Sequence, residues 1–200
     1  MNFLAHALLS GQNELVLIGN MIGDTVKGTK FHYYPSDMQK GILLHRFIDQ
    51  FTDSHPLTSS TRALLRARFG KYAGVVSDVL YDHFLAEGWN QYHNSLSLPD
   101  FASQTYAVLN KNLHLMNEKA HQFIPYMIEQ DWLSSYATRE GIADVLIRMS
   151  RRTKFDSSME QGMLALEENG AQLAEHFHLF FPELQRAANL ELNRLTDITN

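Results

Sequence analysis

The chain contains no cysteine. That absence excludes disulfides and thiolate-bound metals, so any transition metal must be held by His, carboxylate and water. Excess positive charge is also missing: 17 Lys and Arg stand against 22 Asp and Glu, a formal net charge of −5. A general nucleic-acid binder is usually basic, so that class is set aside. No apolar run approaches the length of a membrane span. The start, Met1-Asn2-Phe3-Leu4-Ala5-His6, lacks the basic n-region of a secretory signal. The expectation is a cytoplasmic protein with neither membrane nor nucleic-acid partners. Phosphate-cradling glycine loops are absent too, since Gly11-Gln12-Asn13 and Gly28-Thr29-Lys30 do not fit that pattern. No G-x-S-x-G nucleophile elbow occurs.

What is present is helical. Apolar residues make up 44% of 200 positions, enough for one real core, and no linker, repeat or low-complexity block divides residues 1–200. Strand signals are nearly absent. The spacing predicts a single-domain all-α fold of roughly eight helices. Leu15 to Lys27 reads as a helix with a close contact or a break near Gly19, Gly23 and Asp24. Met38 to Thr52 follows the Pro35-Ser36-Asp37 turn, with Ser36 or Asp37 as cap. Residues 54–60 read as a loop because Pro56 biases His55 away from helix. Arg62 to Phe69 stops near Gly70. Later helices run through 101–115, 118–130, 138–149 and 159–181, and a separate last helix begins at Pro182.

The polar residues inside these segments carry the chemistry. His45, Asp49 and Asp53 fall at i, i+4 and i+8, on one helix face, beside apolar Ile42, Leu43, Phe47, Ile48 and Phe51. Buried His and carboxylate groups are costly unless paired, hydrogen-bonded or metal-bound. Asp78, Asp82 and His83 repeat that chemistry, and Asn20 with Asp24 forms a third i, i+4 pair. The alternative for each is a salt-bridge network between helices, with Arg46 as one partner. His6, among Phe3, Leu4, Leu8 and Leu9, reads first as a core histidine. Arg62, Arg66, Arg68 and Lys71 form one basic stretch, and Arg148, Arg151, Arg152 and Lys154 another. These are either solvated faces or docking sites for an acidic partner or a phosphate.

Several segments together resemble the acyl carrier protein phosphodiesterase family: Asn2-Phe-Leu-Ala-His6, Gly19-Asn-Met-Ile-Gly-Asp24, Gly41-Ile-Leu-Leu-His-Arg-Phe-Ile-Asp49, Phe51-Thr-Asp-Ser-His-Pro56, Tyr81-Asp-His-Phe-Leu85 and Met149-Ser-Arg-Arg152. They fall in order from residue 2 to about 152. That family is similar to the HD-type metal-dependent phosphohydrolases, so the resemblance implies an HD-domain-like helical fold, although the doublet here is reversed as Asp82-His83. It implies hydrolysis of the phosphodiester that joins 4′-phosphopantetheine to a serine of holo-acyl carrier protein. It also implies a divalent cation, Mn²⁺ first, with Mg²⁺ or Fe²⁺ as alternatives. On this reading the metal ligands come from Asp24, His45, Asp78, Asp82 and His83. Asp24, His6 and Asp49 serve catalysis, while Arg46, Arg148, Arg151 and Arg152 hold the substrate. A hydrolase of a nucleotide or other small phosphate ester, and a non-catalytic helical binding module, are the alternatives.

Overall fold

Side-chain caps set where many of the helices begin. In the computed structural model, which describes residues 1–197, Asn2 Oδ1 accepts from the Phe3 amide at 3.0 Å and opens α1 (Phe3–Leu8). Asn13 Oδ1 accepts from Leu15 and Val16 at 2.9 and 3.3 Å and opens α2 (Glu14–Met21). Asn117 caps α8 (Glu118–Glu129) and Thr138 caps α10 (Arg139–Arg151) in the same way. Each such cap satisfies an orphan amide and contributes about 1 kcal/mol. α3 (Ser36–Ser54) begins without a side-chain cap, contrary to the role expected of Ser36 or Asp37.

The remaining helices are α4 (Pro56–Phe69), α5 (Ala73–Glu87), α6 (Trp89–Tyr92), α7 (Leu98–Lys111), α9 (Trp132–Ser135) and α11 (Gly162–Asp197). Among the described residues the fold is all-α with eleven α-helices rather than roughly eight. The extra ones include α6 and α9, four residues each, too short to show a period. Two boundaries also move. The expected loop at 54–60 shrinks to His55, which alone is extended (φ −74°, ψ 134°). Pro56 then occupies the first turn of α4, where its missing N–H costs nothing. The expected break at Pro182 does not occur. α11 continues through it because Phe180, Phe181, Leu184 and Ala188 on either side are fully buried. Their burial outweighs the roughly 3 kcal/mol that an interior proline costs.

Two apolar clusters make up the core. The larger gathers Tyr81, Phe177, Phe180 and Phe181, where α11 lies on α3, α4 and α5. The smaller gathers Ile18, Ile22, Met38, Ile42, Ile124 and Met127. Helices α1 and α3 contribute to both clusters. α2 and α3 cross so closely that a Cβ on Gly19 would meet the Met38 carbonyl oxygen, and one on Gly41 would meet that of Val16, each at 2.1 Å. Glycine is required at both crossing points. After α2 the chain breaks into a 3₁₀ turn, Gly23–Thr25, as the glycine spacing suggested. No helix among the described residues is long and apolar enough to cross a membrane.

Candidate metal centre

The close α2–α3 crossing, with α1 packed across α2, brings His6, Asn20, His45 and Asp49 together, and Asp24 arrives on the 3₁₀ turn. The His6 and His45 rings stack with centroids 4.2 Å apart. His6 Nε2 lies 3.2 Å from Asp49 Oδ1, and His45 Nε2 lies 3.1 Å from Asp49 Oδ2. Asp24 Oδ1 is 3.4 Å from the same His45 nitrogen. Ligand-capable atoms of His6, His45 and Asp49 all fall within 4.8 Å of one another. A Cβ on Gly23 would strike the His45 ring at 2.3 Å, so that glycine gives the imidazole its place.

Burial is graded across the site. His6 and His45 are buried, Asp49 is about two-fifths exposed, and Asp24 is open to solvent. The cluster is therefore reachable from the Asp24 side. His6 Nδ1 lies 2.8 Å from Asn20 Oδ1. The Asn20 amide nitrogen donates to the His6 carbonyl and to Ser10 Oγ, both at 3.0 Å. With its Nδ2 so committed, Asn20 presents Oδ1 as an acceptor. The proton of His6 then sits on Nδ1, and Nε2 offers its lone pair to the cluster.

The electrostatics separate the two imidazoles. Burial, with the charge of His45 beside it, holds His6 below the ordinary histidine range, so it is neutral. Burial alone would lower His45 as well, but Asp24 and Asp49 overcome it and push its pKa up to about 9. Burial works to raise Asp49, yet the adjacent His45 and His6 hold it well below the usual carboxylate range. Contact with His45 lowers Asp24. Two ionised carboxylates thus converge on two imidazoles and favour added positive charge there.

His45 is buried, yet neither ring nitrogen has a properly directed hydrogen bond. Its Nε2 has carboxylate oxygens at ion-pair distance but not along its lone-pair direction. Unsatisfied buried nitrogens are rare, and a cation that displaced the His45 proton would give Nε2 a partner. A divalent cation held by two imidazoles and hard oxygens fits this donor set. His6, His45 and Asp49 would hold it, with Asp24 at the open edge.

The other sequence-predicted residues lie elsewhere and are satisfied. Asp82 Oδ1 and Oδ2 accept from the backbone amides of Asn2 and Leu4 at 3.2 and 2.7 Å, tying α5 to the start of α1. Asp78 Oδ1 sits 3.1 Å from the Met1 amino group. His83 Nδ1 donates to the Tyr136 carbonyl at 2.7 Å, and its Nε2 is 3.5 Å from Glu87. The structure does not bring these three into the cluster, and Asp53 pairs with Arg62 at 2.7 Å instead. Arg46 donates to the carbonyls of Val26 and Gly28 at 2.9 and 2.7 Å, fixing the backbone after Asp24. Arg148 donates to Gln130, while Arg151 and Arg152 are exposed. The residues alone make His6 first a core histidine and pair Asn20 with Asp24, whereas in the fold Asn20 bonds to His6. The usable signal is Asn20 as the lone polar residue in the apolar run that follows Glu14 in α2, a position that must spend its amide on a specific partner once buried.

The fold and site together define an all-helical protein with a His–carboxylate cluster suited to a divalent cation. Comparison with known proteins narrows that class. The pattern of the family described as acyl carrier protein phosphodiesterase matches residues 1–184. Curated relatives named acyl carrier protein phosphodiesterase come from Yersinia pestis, Photorhabdus laumondii subsp. laumondii and Serratia proteamaculans. Each is 32% identical over 188 residues, covering 94% of this chain and 97%, 95% and 97% of the relative, respectively. No solved structure matches. The chain belongs to the acyl carrier protein phosphodiesterase family.

Proposed function

We propose that this protein is a cytoplasmic phosphodiesterase that releases 4′-phosphopantetheine from holo-acyl carrier protein, leaving the apo-carrier with a free serine. The observation that carries the reading is family membership over nearly the whole chain, coinciding with a His–carboxylate cluster in the same residues whose His45 ring nitrogens lack hydrogen bonds. His6, His45 and Asp49 would hold a divalent cation, Mn²⁺ by preference, which when bound would supply charge neutralisation at the phosphoryl oxygens and a more acidic water. Asn20 keeps the His6 lone pair aimed inward. Asp49 spans both imidazoles and fixes their relative orientation. Asp24, ionised and exposed, would accept the proton of the attacking water and return it to the serine oxygen as the bond from phosphorus to that oxygen breaks. Arg151 and Arg152, exposed at the end of α10, face the acidic carrier by charge complementarity.

The test is intact-mass spectrometry of holo-carrier incubated with the protein and Mn²⁺, with and without EDTA. The expected result is loss of one phosphopantetheine mass, blocked by the chelator. An unchanged carrier mass, with simple phosphodiesters hydrolysed in the same buffer, would move the function to small phosphate esters.

A further inference from the structure

A cavity of about 180 Å³ lies at the seam of the two apolar clusters. Phe3, Phe123, Trp132 and Tyr136 form its aromatic wall. Arg148 and Arg152 are its charged lining residues. This wall is built rather than incidental. Gln130 Oε1 receives both the Trp132 indole N–H at 3.1 Å and Arg148 Nη1 at 2.8 Å, and the Arg148 guanidinium lies over the Trp132 ring at 5.7 Å. Its lining is mostly apolar and open to solvent on one side, with the Arg148 cation fixed at the rim, which is the form of a ligand subsite.

Its position on the chain points to the ligand. Phe3 lies one helical turn before His6 on α1, so the two side chains share a helix face and are neighbours. A ligand whose phosphate sits at the His6–His45–Asp49 cluster and whose next group reaches back one turn to Phe3 would lay that group on this wall. In the 4′-phosphopantetheine arm that group is the pantoyl unit, a quaternary carbon bearing two methyls, followed by a hydroxyl and an amide. The methyls match the aromatic wall, and the hydroxyl and amide carbonyl match the guanidinium donors. The volume suits one segment of the arm and not its whole length.

We propose that this cavity is the pantoyl subsite, and that it makes the enzyme selective for the branched arm over an unbranched one. The inference rests on the functional reading above. Its test compares holo-carrier with a carrier loaded with an arm that lacks the two methyls, using bis(p-nitrophenyl) phosphate as a substrate that needs only the metal centre. For the parent, kcat/KM is expected to fall about ten-fold or more on removing the methyls, the scale of a filled apolar pocket. Met149→Trp fills the cavity from α10, where Met149 is half-buried, and Val145→Phe fills it from a second position on the same helix. Either variant should lose the preference between the two arms and retain turnover of the simple ester. Equal use of both arms by the parent, or a preference that survives both substitutions in folded protein, would overturn the assignment while leaving the phosphodiesterase reading in place. A parent that cleaves the simple ester but neither carrier would overturn the functional reading itself, and the subsite with it.

Discussion

Two helical regions carry the same residue types at similar spacing and use them in opposite ways. Around α3, His45 and Asp49 meet His6 and Asp24, and both ring nitrogens of His45 are left without a directed hydrogen bond. Along α5, Asp78, Asp82 and His83 are consumed by the Met1 amino group, two backbone amides and a backbone carbonyl. The α5 groups hold the beginning of the chain and the Tyr136 segment against the core. The difference teaches that residue type and period do not identify a ligand. What separates a site from a strut is whether the fold has already satisfied the polar atoms.

The largest expected effect breaks the comparison outright. Asp49→Asn or His45→Ala should reduce metal-dependent turnover by more than the ~100-fold that losing an outer-shell partner costs, whereas His83→Gln should stay near the parent. Steady-state kinetics on holo-carrier with metal analysis of each variant checks this. Next comes Asn20→Leu, similar in volume but unable to hold the His6 tautomer. It should weaken Mn²⁺ binding by roughly 10–100-fold, with activity restored by excess metal. A merely structural role would leave the loss unrescued.

A smaller effect sharpens the other side. Burial pushes the Asp82 carboxyl up to about 7, although the Met1 amino group and the two backbone amides pull it down. The folded state therefore binds this proton more tightly than the unfolded chain, whose value is 3.8. The contribution is full below that value and is lost as pH rises toward 7. The slope it adds is at most about 1.4 kcal/mol per pH unit. Asp82→Asn should lack this decline, so its denaturation profile should be flatter than the parent's between pH 4 and 7. Parallel profiles would contradict the assignment. The smallest expected effect is at the surface: Arg151→Ala should raise KM for the carrier modestly and lessen its salt sensitivity, with kcat unchanged.

Much of this was legible in the sequence. Apolar period and caps such as Thr138 gave the helices, and the His45–Asp49 spacing gave the heart of the cluster. The glycines Gly19 and Gly23 signalled the close crossing and the break before Asp24. What stayed hidden depends on partners distant in the chain. Asp82 reads as a ligand until the amides of Asn2 and Leu4 are seen to occupy it. His6 reads as core until α1 is laid against α2 and α3. Arg46 reads as a phosphate clamp until its guanidinium is found donating to the carbonyls of Val26 and Gly28. Pro182 reads as a boundary because propensity is local, while the burial that overrides it is tertiary.

The central claim is that the α1–α3 cluster, and not the α5 trio, holds the cation. Electron paramagnetic resonance of Mn²⁺ titrated into the parent, Asp49→Asn and His83→Gln tests it most directly, because bound and free manganese give distinct signals. The account predicts that the parent and His83→Gln deplete free Mn²⁺ alike and that Asp49→Asn, still helical by circular dichroism, does not. Undiminished binding by Asp49→Asn, with binding lost in His83→Gln, would contradict it.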